Sequence, residues 1–231
     1  MNRSLPHFLV ALGSKFKTFK NLSALVVILL LFSGKVNAQF SVTTNSGSGL
    51  APTYTSLANA ITALNAATIT APVVITCPTG TEAVPAAGYV ITAQGTSVNT
   101  ITIQGNGAAN SIITGGSGVS TTTFFDAFFA LRGADWVTIQ GFAMTQSAST
   151  TVLEREIGVA LLHASVTNGA QNNTIQNNTI TLNKTNLNTW GIYSNNNHSA
   201  TTAWATTEGV TNNTTGPASG NKVYKDSRNM I

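Results

Sequence analysis

Two carboxylates and a guanidinium fall close together in the chain, Asp126 and Asp135 with Arg132 between them. Those are the groups that acid–base cleavage of a polymer requires: one acid to give a proton, one to take it, and a cation to steady the charge that develops. A second charged group, Glu154-Arg155-Glu156, interrupts two apolar runs, and neither set recurs at a spacing that would align it with a neighbour along the chain. Both therefore read as turn and solvated-loop residues, with a surface ion pair at Asp126, Arg132 and Asp135. His163 and His198 have no metal-ligand spacing, and Gln104-Gly-Asn-Gly107 lacks the Lys and helix onset of a phosphate loop, so no metal or cofactor is implied. Cys77 sits in an apolar run and reads as a small buried group. The aromatic residues Trp136, Trp190, Tyr193 and Trp204 are the better ligand candidates, because an exposed ring face stacks on a sugar; the plainer reading of Trp136 is that it covers a sheet.

What could position these side chains is a repeat. Thr102-Ile-Gln-Gly105, Thr138-Ile-Gln-Gly141 and Thr174-Ile-Gln-Asn177 recur 36 residues apart, each in an alternating apolar and polar run. Further short apolar runs between the copies, such as Ile112-Ile113, Phe142–Met144 and Val159–Leu162, give about three strands per repeat. Asn, Gly and Thr pairs interrupt the chain too often for paired helices, and β-branched residues hold the apolar positions. A repeat of this length built from strands predicts a solenoid in which each turn of chain lies on the last, aliphatic residues form interior columns, and amides line the corners. The Asn-rich stretch from 172 to 178 is expected at such corners, in preference to its Asn-x-Thr sequons at Asn172 and Asn177 serving glycan attachment.

Ahead of the repeats, residues 39–53 read as an extended lead-in, and Leu57, Ile61 and Leu64 then mark one face of a short helix with Thr55 or Ser56 as its N-cap. The β-branched run Val73-Val-Ile-Thr76 follows, closed by Pro78, Gly80 and Glu82. This order, with Tyr54, Ser56, Leu57, Ala60, Ile61, Val73, Val74, Ile75, Pro78, Gly80 and Glu82 at the matching places, resembles the N-terminal cap of pectin methylesterases and related pectin-lyase-like parallel β-helix proteins. The resemblance implies an all-β, right-handed parallel β-helix of about three coils over residues 54–231, with a capping helix. It does not extend to that family's catalytic Asp, Arg and Gln motifs, so it implies the cap and not the reaction.

Residues 1–38 have the layout of a secretory leader: Arg3, Lys15, Lys17 and Lys20 precede the apolar run Leu25–Phe32, and Val36-Asn-Ala38 offers a cleavage site. The leader region carries five of the eleven basic residues, leaving six against seven acids, so the basic character of the whole chain does not point to nucleic acid. One cysteine excludes an intrachain disulfide framework. Residues 195–220 read as a polar loop, Gly220–Tyr224 as the start of another strand, and the missing terminal cap as the mark of a longer surface protein. The functional expectation is a secreted or cell-surface module, non-catalytic, for adhesion or contact with a polysaccharide or cell-surface glycan, touching a membrane only through its leader. The alternative is the N-terminal part of a polysaccharide lyase or pectinesterase-like enzyme.

Overall fold

The computed structural model describes residues 40–115, 127–146, 157–183, 189–199 and 218–230, with backbone alone at 195–199 and 227–230. The chain separates into two units, Met1–Gln39 and Phe40–Ile231, and every described residue belongs to the second. The leader therefore lies outside the described residues, as do Asp126, Glu154, Arg155, Glu156 and Trp204.

Two short strands, β1 (Val42–Thr44) and β2 (Thr53–Tyr54), precede the helix α1 (Leu57–Ala66). The chain then repeats one circuit. A first pass runs through β3 (Val73–Thr76), β4 (Gly80–Ala83) and β5 (Tyr89–Ile91), and a second through β6 (Ile101–Gln104), β7 (Ser111–Gly115) and β8 (Ala127–Arg132). A third follows in β9 (Val137–Gln140), β10 (Ala143–Gln146) and β11 (Ile157–His163), and a fourth in β12 (Thr174–Gln176), β13 (Thr179–Leu182) and β14 (Trp190–Ser199). Two strands of a fifth, β15 (Lys222–Tyr224) and β16 (Ser227–Met230), complete the described chain. Each pass gives one strand to each of three sheets, whose orders are β15-β12-β9-β6-β3-β1-β2, β16-β13-β10-β7-β4 and β14-β11-β8-β5. All pairings between passes are parallel, whereas β1 joins β2 and β3 antiparallel. The fold is thus all-β with parallel sheets and one short helix. It holds four full passes among the described residues where the sequence predicted about three.

The repeat sets the register. Thr102, Ile103 and Gln104 pair with Thr138, Ile139 and Gln140, and these with Thr174, Ile175 and Gln176, so identical residues lie on one another. Ile75, Ile103, Ile139 and Ile175 form one column, each fully buried. Ile113, Met144 and Ile180 form another in the second sheet. In the third sheet Tyr89, Phe129 and Val159 align, with ring centroids 5.2 Å apart for Tyr89 and Phe129 and 5.5 Å for Phe129 and Phe142. Each such aliphatic side chain contributes about 1.5–3 kcal/mol by leaving water.

The third sheet departs from the alternation of the other two. Ala127, Ala130, Ile157, Ala160, Leu162 and Tyr193 form a second apolar cluster apart from the main core, so this sheet is apolar on both faces. That is why β8 and β11 read as unbroken apolar runs, the pattern of strands covered on both sides.

Corners are made by residues in the left-handed region at equivalent places. Before the first sheet these are Trp136 (φ 57°), Asn172 (φ 56°) and Gly220 (φ 68°); after it they are Gly141 (φ 75°), Asn177 (φ 56°) and Lys225 (φ 51°). Of the Asn and Gln amides expected to bond along the stack, the Gln residues form a ladder from pass to pass: Gln176 Nε2 donates to Gln140 Oε1 (2.6 Å), Gln140 Nε2 to Gln104 Oε1 (2.9 Å), and Gln104 Nε2 to Thr76 Oγ1 (3.1 Å). The Asn residues bond to main chain. Asn173 Nδ2 donates to Ala134 O (2.8 Å) while its Oδ1 accepts from Val137 N (2.8 Å), and Asn178 does the same to Ile139 O (3.1 Å) and Phe142 N (3.1 Å). They are buried, and at a bend a main-chain group has lost its ladder partner, so a short amide reaching in from the next pass satisfies it. The polar stretch after 195 also differs from the expectation of a loop, since the β14 backbone continues to Ser199.

At the start of the stack, Ser56 caps α1 by accepting from Asn59 N (3.1 Å), and Leu57, Ala60, Ile61 and Leu64 turn inward. Residues 40–54 are more than a lead-in, because β1 and β2 extend the first sheet past β3. Glu82 ties the pieces together: its carboxylate accepts from Leu57 N (3.1 and 3.2 Å) and from the Tyr89 hydroxyl (2.8 Å). A negative charge at the first turn of a helix also meets the positive end of the helix dipole.

Ile139→Ala is expected to cost about 2–5 kcal/mol in urea unfolding, against a few tenths for Thr102→Ala on the opposite face of the same sheet. Equal effects would mean that the aliphatic column does not carry the stack. Glu82→Ala is expected to lower stability by about 1.5–3 kcal/mol, since it removes a charged acceptor from two donors at once; an unchanged melting temperature would show that water replaces it without loss.

Candidate functional site

The corner before the first sheet places residues of successive passes side by side. Thr100, Trp136, Thr138, Asn172, Thr174, Gly220 and Lys222 line a cleft of about 180 Å³ there. Trp136, Asn172 and Gly220 are the left-handed corner residues, and Thr138, Thr174 and Lys222 are the first outward positions of β9, β12 and β15. The two threonines are half-buried and alternate with the buried Ile139 and Ile175. Gly220 takes a left-handed φ of 68°, and a Cβ there would stand 2.3 Å from Asn172 Oδ1, so the Asn172 amide would have to shift. One half-buried indole, three threonines, an asparagine and an exposed lysine thus line one opening, a set suited to binding a polar ligand with an apolar face.

The other predicted aromatics are elsewhere. Trp190 and Tyr193 pack edge to face on β14, with centroids 5.6 Å apart, and Tyr193 is buried in the second apolar cluster. Their place on the third sheet separates them from Trp136, which lines the corner before the first, and Trp190 is half-buried.

The charged candidates also serve structural ends. Asp135 Oδ1 accepts from Gln171 N (2.8 Å), one pass further on. Burial raises the Asp135 pKa above the ordinary carboxylate value, a rise that the Gln171 hydrogen bond opposes. Arg132, at the end of β8, is half-buried with its Nε shielded and without a hydrogen bond. Of the ion pair expected among Asp126, Arg132 and Asp135, Asp126 lies outside the described residues, and Asp135 Oδ1 turns to main chain. His163 is buried at the end of β11, and no group of three His, Cys, Asp or Glu side chains among the described residues could hold a metal. Cys77 is fully buried, and desolvation pushes its thiol pKa far up, followed by the charge of Glu82; this fits a packing role.

Sequence reasoning singled out Trp136 but missed Thr100, Thr138, Asn172, Thr174, Gly220 and Lys222 as its neighbours. The signal was present: stepping 36 residues from Trp136 reaches Asn172. The next step is 48 residues, as the Asn173 to Asn221 bond records, so a fixed period does not reach Gly220 and Lys222.

Asp135→Asn keeps an acceptor for Gln171 and removes the buried charge. With the folded pKa raised, the folded state holds a proton that the unfolded state has lost, so this group's contribution is full below the ordinary carboxylate value and falls as pH rises through the raised one. Wild-type stability relative to Asp135→Asn is therefore expected to decline across that interval in melting curves taken from acid to neutral pH; a difference that grows in the opposite sense would refute the assignment.

The chain matches no protein-family model, no curated protein and no solved structure.

Proposed function

We propose that this chain is a right-handed parallel β-helix of the pectin-lyase-like kind, secreted or displayed at the cell surface, and that it acts as a non-catalytic module contacting carbohydrate through the Trp136 cleft. The cyclic order of strands among three parallel sheets supports the architecture. The right hand follows from the crossover preference of parallel strands. The leader-like residues 1–38 support export.

The observation that carries the binding role is the conformation of Trp136. Its φ of 57° costs a branched or bulky residue about 1–3 kcal/mol, and the equivalent corners use Asn172 and Gly220, which adopt that region readily. Backbone geometry therefore gives no reason for a tryptophan, whereas an indole at the mouth of a hydroxyl- and amide-lined cleft has a purpose in stacking on a pyranose face.

Trp136→Gly relieves the strained φ while removing the ring, so it separates folding from binding. On an array of linear oligosaccharides, the wild-type chain is expected to bind and Trp136→Gly to lose about tenfold or more in affinity, with its melting temperature held. Undiminished binding by the variant, or cleavage of the bound glycan, would sink the reading.

A further inference from the structure

We propose that the end of the stack edged by β14, β15 and β16 joins the same end of a second copy of this chain, about a twofold axis through β15. The association is independent of any ligand at the Trp136 corner.

Among the described residues, β15, β16 and β14 are the last strands of the first, second and third sheets. The aliphatic core is open there. Val223 lies on Ile175 in the interior column, yet it is 42% exposed where Ile175 is fully buried. Ile192 lies on Val159 and packs against the main core, but it is half-buried where Val159 is fully buried. The main chain is open as well. Lys222 N donates to Asn173 O and Tyr224 O accepts from Asn177 N, so both residues aim their main-chain groups at β12. The residue between them points the other way, which leaves the Val223 N–H and C=O facing off the edge, ready to pair with another strand.

The shape of this end fits itself. Successive strands of a coil stand about one third of a pass further along the stack, so β14, β15 and β16 form three even steps. A twofold axis at right angles to the stack, through the middle of β15, sets β15 on its counterpart and exchanges the second and third sheets. The high step, β16, then meets the low step, β14, of the second copy, and all three gaps are equal. An axis through either other sheet makes its own gap differ from the other two by a full pass. The rotation reverses chain direction, so the three new pairs are antiparallel and every sheet runs on across the junction.

At the centre, Val223 meets Val223 of the second copy as a hydrogen-bonded pair, exchanging both main-chain bonds with Cα atoms about 5.5 Å apart. The exposed neighbours on the outer face then cross. Lys222 of each copy lies opposite Tyr224 of the other, which sets an ammonium beside a phenol ring and keeps the two lysines apart.

Only a closed pair can form. At the other end of the stack, β1 and β2 lie beyond β3, and α1 turns Leu57, Ala60, Ile61 and Leu64 inward. Asn65 on that helix serves the edge of β5, donating to Val90 O (2.8 Å) and accepting from Thr92 N (2.9 Å). Head-to-tail growth finds no second open end, so the product is a dimer and not a filament.

The full chain is followed by sedimentation velocity over a range of concentrations, where it is expected to reach twice the chain mass and go no higher. Val223→Lys brings two like charges together at the axis and should weaken the dimer about 100-fold or more, with the melting temperature of the dissociated chain held. Val223→Cys tests the geometry without disrupting the interface. Cα atoms about 5.5 Å apart are within reach of a disulfide, so mild oxidation should yield a covalent dimer, whereas Thr138→Cys, two strands back from the edge, should not cross-link. A single chain at every concentration, or cross-linking at Thr138→Cys as ready as at Val223→Cys, overturns the proposal and leaves the edge to a strand of another origin. Growth beyond two copies overturns the closed geometry.

Discussion

Parallel strands that lie in register put each residue on its own counterpart one pass away, and this constrains every other feature of the chain. Side chains alternate between faces with a period of two, so a slip of one residue would carry Ile139 to the outside and Thr138 and Gln140 into the core. With Ile on Ile and Gln on Gln, the register that buries the aliphatic column is also the one that joins the amide ladder. Two independent interactions therefore favour one alignment.

Stacking solves the strands and leaves the bends. Where the chain turns from one sheet to the next, main-chain groups lose their ladder partners, and the chain restores them with side chains borrowed from the following pass. Asn173 serves Ala134 and Val137, and Asn221 serves Ala170 and Asn173 in the same way. Each pass thus completes the one before it, which makes the passes interdependent in energy as well as in shape. The same bends demand a left-handed residue. Asn172 and Gly220 meet that demand with little strain, and Trp136 meets it at a cost, which is what marks the corner as more than a turn.

Much of the architecture was legible because a single short motif reports register directly. The spacing of Thr102, Thr138 and Thr174 located three strands of one sheet, and Leu57, Ile61 and Leu64 located the helix face. What composition could not assign was the division of labour among amides. Gln and Asn offer the same groups, and only the reach of the side chain decides: the longer Gln spans strand to strand on an open face, while the shorter Asn fits inside a bend. The site was less legible than the fold. Trp136 alternates with Val137 like any strand residue, and nothing in the sequence announces that its backbone is left-handed. Lys222 was hidden by the longer final repeat, which preserves the corner but breaks the count.

A chain held together by amides and hydroxyls has a further property. Most of the interactions described between passes are neutral, with the carboxylates of Asp135 and Asp226 accepting from main chain of a neighbouring pass as the charged exceptions. Lys222 is exposed, in contrast to the half-buried Asp135 and Glu82, whose carboxylates are engaged with main chain. The carboxylates of Glu82, Asp135 and Asp226 thus serve main chain, while Lys222 stands exposed beside Trp136 at the corner.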